Sequence, residues 1–168
     1  MRISSKKRLA KLVSKAQPKA ELRRCKGKKR YRKIDFIRNN DSIGIVVSLE
    51  YDPYRTAFIA SIYDFLNFNY FYIIAPKNLN IGDIVKSGLN AEIKIGHTLT
   101  LTKIPVGSFI HNISLKKNKK ARFSRSAGTS SQLIEKNSNY CRIVLSSGKQ
   151  KSLPNTCHAT IGTVSNEF

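Results

Sequence analysis

Two short stretches hold the side chains best suited to chemistry. The first is Tyr51-Asp52-Pro53-Tyr54-Arg55. Asp before Pro favours a turn, and Pro53 fixes its own φ, so the turn holds Arg55 with little backbone freedom left to lose. A planar guanidinium held in this way suits bidentate contact with a phosphate. The second stretch is RFSRSAGTS, residues 122–130. Arg122 and Arg125 bracket Ser124, and the small residues after them let backbone N–H groups approach a phosphate or a sugar edge. Taken singly, the first stretch is also compatible with a surface turn and an idle arginine, and the second with a flexible loop.

Catalysis finds no comparable grouping. His97, His111 and His158 lack a Cys-x-x-Cys or His-x-x-x-His pattern, and Cys157-His158 is poor spacing for two ligands on one metal. No Gly-x-x-x-x-Gly-Lys-Ser/Thr loop or Gly-x-Ser-x-Gly elbow is present. Asp35, Asp41, Asp52 and Asp83 are scattered through turns, and Asp35 and Asp52 are read as fixing turns or pairing with nearby arginines. The expectation is a protein with no catalytic residues, no metal site and no cofactor.

Charge supplies the direction. The 168 residues include 31 Lys+Arg against 10 Asp+Glu, a formal net charge of +21. Such a charge opposes compactness unless a polyanion neutralises it. Residues 1–33 hold 15 of the basic residues and one acid, Glu21, and residues 116–125 hold six more and no acid. Residues 34–102 carry five basic residues and seven acids, the balance of an ordinary globular domain. Nucleic acid is the partner that two acid-free basic blocks fit best. An anionic membrane surface is a rival supported by the first 17 residues alone, and no run of 18 apolar residues offers a span.

The elements that must position these groups read as β. Ile43, Ile45, Val47 and Leu49 alternate with Gly44, Val46, Ser48 and Glu50. Residues 57–63 and 70–75 make two further strands, and 81–88 a short one between turns. IKIG (93–96), LTL (99–101), 106–115, 131–135, 140–145 and 157–164 follow, with a turn at SSGK (146–149). Many short strands with glycine turns predict two small barrels joined near residues 90–98. Before them, Leu9, Leu12, Val13 and Ala16 fall at helical spacing among lysines. That leader is read as a tail that orders on RNA, with a transit peptide as the alternative. Tyr63, Phe65, Phe68, Tyr70, Phe71 and Tyr72 gather in one hairpin, read as cross-strand packing ahead of a base-stacking platform. Cys25, Cys141 and Cys157 read as reduced thiols in an intracellular compartment. Abundant Lys, Ile and Asn without Trp fit an AT-rich genome, such as many organelles have.

At this point a family comes into view. YRKIDFIRNN (31–40), LEYDPYRTAFIA (49–60), YIIAPKNLNIGD (72–83), SGLNAEIKIGHTLTLTKIPVGSFIHNISL (87–115), RSAGTSSQLIEK (125–136), LSSGK (145–149) and CHATIGTVSN (157–166) follow one another in family order. Over residues 28–168 the chain resembles the bacterial and organellar form of ribosomal protein L-two. The resemblance implies a mainly β fold: a basic extension (1–33), an oligonucleotide-binding (OB) type barrel (34–92) and an SH3-like barrel (93–168). It implies a non-enzymatic constituent of the large ribosomal subunit, whose partners are large-subunit rRNA and neighbouring ribosomal proteins. Arg55 and Arg125 match arginines on the family's RNA-contacting surface, and Lys28, Lys29, Arg30, Arg32 and Arg38 fall on its basic entry segment. With Lys117, Lys119, Lys120 and Arg122 of the second basic block, these form the expected RNA-binding set.

Four departures are visible. Arg23-Arg24-Cys25-Lys26-Gly27 stands where the family has a His-Arg-Gly-Gly-Gly-His segment. SIYDFLNFNYFYII replaces a turn usually marked by Asp-Gly and basic residues, which places that loop toward protein or solvent. LKKNKKARFSRSAGT replaces a Pro-Gly-Lys-Gly-Gly stretch, trading flexibility for lysines. The family's Gly- and Arg-rich extension, with its histidine, does not follow Asn166. The expectation is a separate polypeptide carrying that part, in a mitochondrial ribosome, with a plastid as the alternative. The chain is expected to be neither membrane-bound nor a homo-oligomer. A free single-strand-binding protein is the rival reading.

Overall fold

The computed structural model describes residues 31–38 and 40–167. The leader, with Cys25, Lys28, Lys29 and Arg30, lies outside the described residues. The fold is mainly β, as expected: β1 (Ser42–Glu50), β2 (Ile59–Asp64), β3 (Tyr70–Ile74), β4 (Ile84–Ser87), β5 (Thr98–Thr100), β6 (Phe109–His111), β7 (Ile113–Ser114), β8 (Ala121–Phe123), β9 (Ser131–Lys136), β10 (Tyr140–Leu145), β11 (Gln150–Pro154) and β12 (His158–Ile161). Ten strands form one sheet in the order β11-β10-β9-β6-β12-β5-β4-β1-β2-β3, and β7 pairs with β8 separately.

Two cores form on this sheet. Val46, Ala60, Ile62, Ile73, Ala75, Leu79 and Val85 fill the first. Leu99, Leu101, Ile104, Ile110, Leu133, Ile143, Ala159 and others fill the second. A third cluster joins Ile34, Ala57, Ile59 and Ile74 to Val164, from the far end of the chain. The sheet does not stop between the two cores: β4 and β5 pair in parallel at Ser87 and Thr98. His97 reinforces that joint, its two ring nitrogens lying 3.1 Å and 3.0 Å from the carbonyl oxygens of Glu92 and Ile84.

The strand reading needs three corrections. Residues 93–96 form a turn, with Ile93 and Ile95 exposed and Gly96 at φ +84°. Residues 106–115 break into β6 and β7 at Asn112, whose φ is +50°. β11 carries mostly polar side chains, and β8, Ala-Arg-Phe, is too short for its alternation to announce a strand. In β1 the apolar alternation faces outward before a bulge, with Ile43 exposed and Val46 fully buried, and beyond the bulge Leu49 pairs with Ala60 of the inner face. Gly44 shares the inner face because a Cβ there would lie 2.4 Å from the Ile62 methyl and 2.7 Å from the Tyr63 carbonyl oxygen.

His111 sits inside the second half, where its Nδ1–H donates to the Gly162 carbonyl at 2.8 Å. Burial lowers its pKa to about 4, and the charge of Arg38 pushes the same way against the Gly162 hydrogen bond. Burial and Lys117 lower His158 too. A histidine kept neutral in the fold takes up a proton on unfolding, so its contribution is complete above the unfolded pKa near 6.5 and is lost as pH falls toward 4. Lowering the pH from 6.5 to 5 should cost about 2 kcal/mol from His111. Urea unfolding at several pH values checks this. His111→Gln should flatten the dependence between pH 6.5 and 4, and a wild-type profile already flat there would overturn the assignment.

Candidate nucleic-acid interface

The turn after β1 is built around a buried carboxylate. Asp52 is fully buried. Its Oδ1 accepts from the Tyr54 N–H at 3.1 Å, and its carbonyl from the Arg55 N–H at 3.2 Å. Its Oδ2 accepts from Arg55 Nε at 2.5 Å. One edge of the guanidinium is therefore fixed, while its terminal nitrogens remain available to a ligand. The turn expected from Asp-Pro is present, and the aspartate also aims the arginine.

The second stretch comes to the same place from the other half of the chain. Gly128 N–H donates to the Ser165 carbonyl at 3.2 Å, Val164 N–H to the Thr129 carbonyl at 3.1 Å, and Thr129 Oγ1–H to the Ser126 carbonyl at 2.7 Å. Gly128 has φ +68°, and a Cβ there would lie 3.2 Å from the Glu167 backbone, so this crossing needs glycine. The same terminal segment reaches the first stretch: Asn166 Nδ2–H donates to the Thr56 carbonyl at 2.8 Å, and Phe58 N–H to Ser165 Oγ at 3.1 Å.

Between the two stretches lies a cleft of about 820 Å³, lined by Phe36, Tyr54, Arg55, Arg122 and Arg125 together with serines of the RSAGT and SSGK segments. Arg125 Cζ stands 4.8 Å from the Phe36 ring centroid and Arg55 Cζ 5.9 Å from it. Cation–π attraction holds both guanidiniums on one ring. Asp52 offsets the charge of Arg55, whereas no described acid pairs with Arg125. Beside it, Tyr31 and Tyr54 meet edge to face with centroids 5.8 Å apart, 73% and 53% exposed. Sequence reasoning passed over Phe36 and Tyr54. The signal was there, an aromatic within each arginine-bearing segment, but only the fold shows that they converge.

The other expected contact residues divide. Arg122 and Arg125 are exposed at the cleft. Lys117, Lys119 and Lys120 are exposed in the β7–β8 connection, beyond the cleft lining. Arg32 is bound by Glu50 at 2.9 Å and donates to the Tyr51 carbonyl, with its guanidinium over Tyr72. Arg38 departs from expectation: it is 3% exposed and turned inward. Asp35 Oδ1 accepts from the backbone N–H groups of Ile37 and Arg38, bending the chain so that the side chain enters the interior. There Nη1 donates to the Gly96 carbonyl at 2.8 Å, and burial lowers the pKa to about 10, with Asp35 offsetting part of the shift. In this position Arg38 ties the two halves together instead of reaching a surface ligand. Lys28, Lys29 and Arg30 lie outside the described residues.

Cys141 and Cys157 are buried in the second core, and burial raises both thiols. Cys141 Sγ–H donates to Asn155 Oδ1 at 2.9 Å, a packing role. No group of three or more His, Cys, Asp or Glu residues able to hold a metal occurs among the described residues.

The family described as Ribosomal Proteins L2, RNA binding N-terminal domain, matches residues 3–87, and its C-terminal domain counterpart matches residues 94–168. Large ribosomal subunit protein uL2m of Reclinomonas americana is 51% identical over 141 residues, covering 83% of this chain and 50% of that protein. Large ribosomal subunit protein uL2 of Rickettsia akari is 50% identical over 140 residues, covering 83% of this chain and 51% of that protein. The chain spans about half the length of the curated relatives it matches. Two domain matches in sequence order, and relatives sharing half of the aligned residues, lead to one conclusion: the chain belongs to the ribosomal protein L2 family.

Proposed function

We propose that the chain is a structural, non-enzymatic constituent of the large ribosomal subunit that binds large-subunit rRNA through arginine and lysine contacts to phosphate. The observation that carries this reading is the convergence of Arg55 and Arg125 on Phe36 in one cleft. Arg55, Arg122 and Arg125 take backbone phosphates there, and Tyr54 offers a face to an unpaired base. Lys117, Lys119 and Lys120 extend the contact, as do Lys28, Lys29 and Arg30 of the leader, and Arg32 contributes at the rim. Recognition is of RNA shape, since phosphate contacts carry no base code. The working units are the extension (1–33) and two barrels, an OB type (34–92) and an SH3-like one (93–168). The partners are rRNA and neighbouring ribosomal proteins, not a second copy or a membrane. Composition, and a mitochondrial uL2m among the relatives, support a mitochondrial ribosome, with the plastid as alternative.

Arg55→Ala and Arg125→Ala should each weaken binding to large-subunit rRNA by about 1–3 kcal/mol. Lysine at either position should not restore it, because the fork and the ring stacking are lost. Filter binding over a salt series reads both, and the salt slope should fall by roughly one for each phosphate contact removed. Unchanged affinity in both alanine variants removes the cleft from the interface. Equal affinity for generic single strands favours the free nucleic-acid binder.

Asp52→Asn tests positioning. Losing the charged partner of Arg55 should cost about 1–3 kcal/mol of stability and loosen the arginine. The rRNA affinity of this variant should fall between wild type and Arg55→Ala. A wild-type affinity would show that Asp52 only folds the turn.

A further inference from the structure

The β2–β3 hairpin points away from the chemistry of the cleft. Residues 56–76 contain no Lys or Arg, in a chain whose net charge is +21. The tip displays Leu66 (53% exposed), Phe68 (78%) and Tyr70 (60%). It is a built turn. The buried Asp64 accepts from the Leu66 N–H at 2.9 Å and from Asn67 Nδ2–H at 2.7 Å, and its own N–H donates to the Asn69 carbonyl at 2.9 Å. Phe68 is held there at φ +53°, a left-handed conformation that a bulky aromatic rarely adopts. A large apolar side chain kept both strained and in water, on a fixed turn, is an anchor awaiting a pocket.

The tip continues into an apolar strip. Register places Ile84, Ile45, Tyr63 and Tyr70 opposite one another across β4, β1, β2 and β3, on the outer face. Tyr63 packs on Tyr70 at 5.0 Å and on Phe65 at 5.8 Å. Four strands make this row about 15 Å wide. Lys86, opposite Ile43, is paired with Glu92.

We infer that the hairpin tip and this strip form a docking surface for a neighbouring protein that offers an apolar pocket, not for RNA. The inference rests on the ribosomal reading above. RNA is disfavoured because the tip carries no cation for phosphate, whereas the arginine cleft lies beyond the other end of β2, about 20 Å away by strand rise. A second copy is disfavoured because two chains of +21 repel. Aromatic residues on a preformed turn match the anchors of protein–protein interfaces.

The test uses the full chain with a photoreactive benzoylphenylalanine at position 68, assembled into large-subunit particles. Crosslinking to a different polypeptide is expected; crosslinking to rRNA, to a second copy of this chain or to nothing overturns the inference. Phe68→Asn provides the second measurement. Asparagine tolerates the left-handed conformation, so the variant should raise the thermal midpoint of the free chain and keep its rRNA affinity within twofold. Its retention in particles through a high-salt wash should nevertheless fall several-fold, and unchanged retention overturns the proposal. A wild-type chain that neither binds rRNA nor enters particles defeats the parent reading and this inference with it. A chain that enters but places residue 68 on RNA defeats the inference alone.

Discussion

The structure depends on the terminal segment Val164–Glu167 being laced between the two halves. Val164 is fully buried against Ile34, Ala57, Ile59 and Ile74, and its N–H donates to Thr129. Ser165 accepts from Phe58 and Gly128 and donates its N–H to Ala75. Asn166 donates to Thr56. Apart from the exposed Asn166 contact these bonds lie at the packed seam, so separating the halves would strand several polar groups at once. The arginine cleft is a consequence. Arg55 comes from one half and Arg125 from the other, and they share Phe36 because the segment between them fixes both loops. Such pre-organisation spares the ligand the entropy of ordering two loops.

Acidic residues serve this arrangement by restraint instead of bulk neutralisation. Asp52 holds Arg55, and Glu50 holds Arg32. Glu92 clamps Lys86 and Lys94 beside the joint, and the hydrogen bonds from those ammonium groups hold its carboxyl near pKa 2. These pairs aim or park cations within the middle of the chain. No described acid pairs with the second basic block. The charge of that block divides between Arg122 and Arg125 at the cleft and the exposed lysines of the β7–β8 connection, a surface property that the two cores do not have to carry.

Much of this was legible in the sequence, for identifiable reasons. Strands with apolar runs, such as 140–145, announce themselves, and Asp-Pro announces its turn. The small residues at 126–130 were read as opening backbone N–H groups to a phosphate or sugar edge, but the Gly128 N–H goes to the Ser165 carbonyl and the Thr129 N–H to the Ser126 carbonyl. The same reasoning failed where long-range contact overrides the local pattern. Arg38 reads as one more cation in a basic stretch, and only the Asp35 cap and the Gly96 carbonyl explain its burial. β8 and β11 are specified by their partners β7 and β10, not by their own side chains. Phe36 and Tyr54 carry no periodic signal, and their importance is a matter of convergence. The family resemblance supplied the two-barrel expectation, but not the continuity of the sheet through Ser87 and Thr98.

The alternation in β1 shows why pattern and role must be separated. Ile43, Ile45, Val47 and Leu49 have the period of a strand buried on one face, yet the inner face belongs to Gly44 and Val46. A bulge between Val46 and Ser48 shifts the pairing with β2, so the residues beyond it re-enter the ladder against Ser61 and Ala60. Leu49 therefore lies opposite Ala60 on the inner face, and the outward apolar residues of the regular part are Ile43 and Ile45. Strand period fixes the consequence: slipping β2 by one residue would turn Tyr63 inward and Ile62 outward, destroying core and outer strip together. β2 therefore couples the arginine turn at one end to the aromatic tip at the other. Its length sets their spacing and its register sets the face, so neither feature can drift without the other.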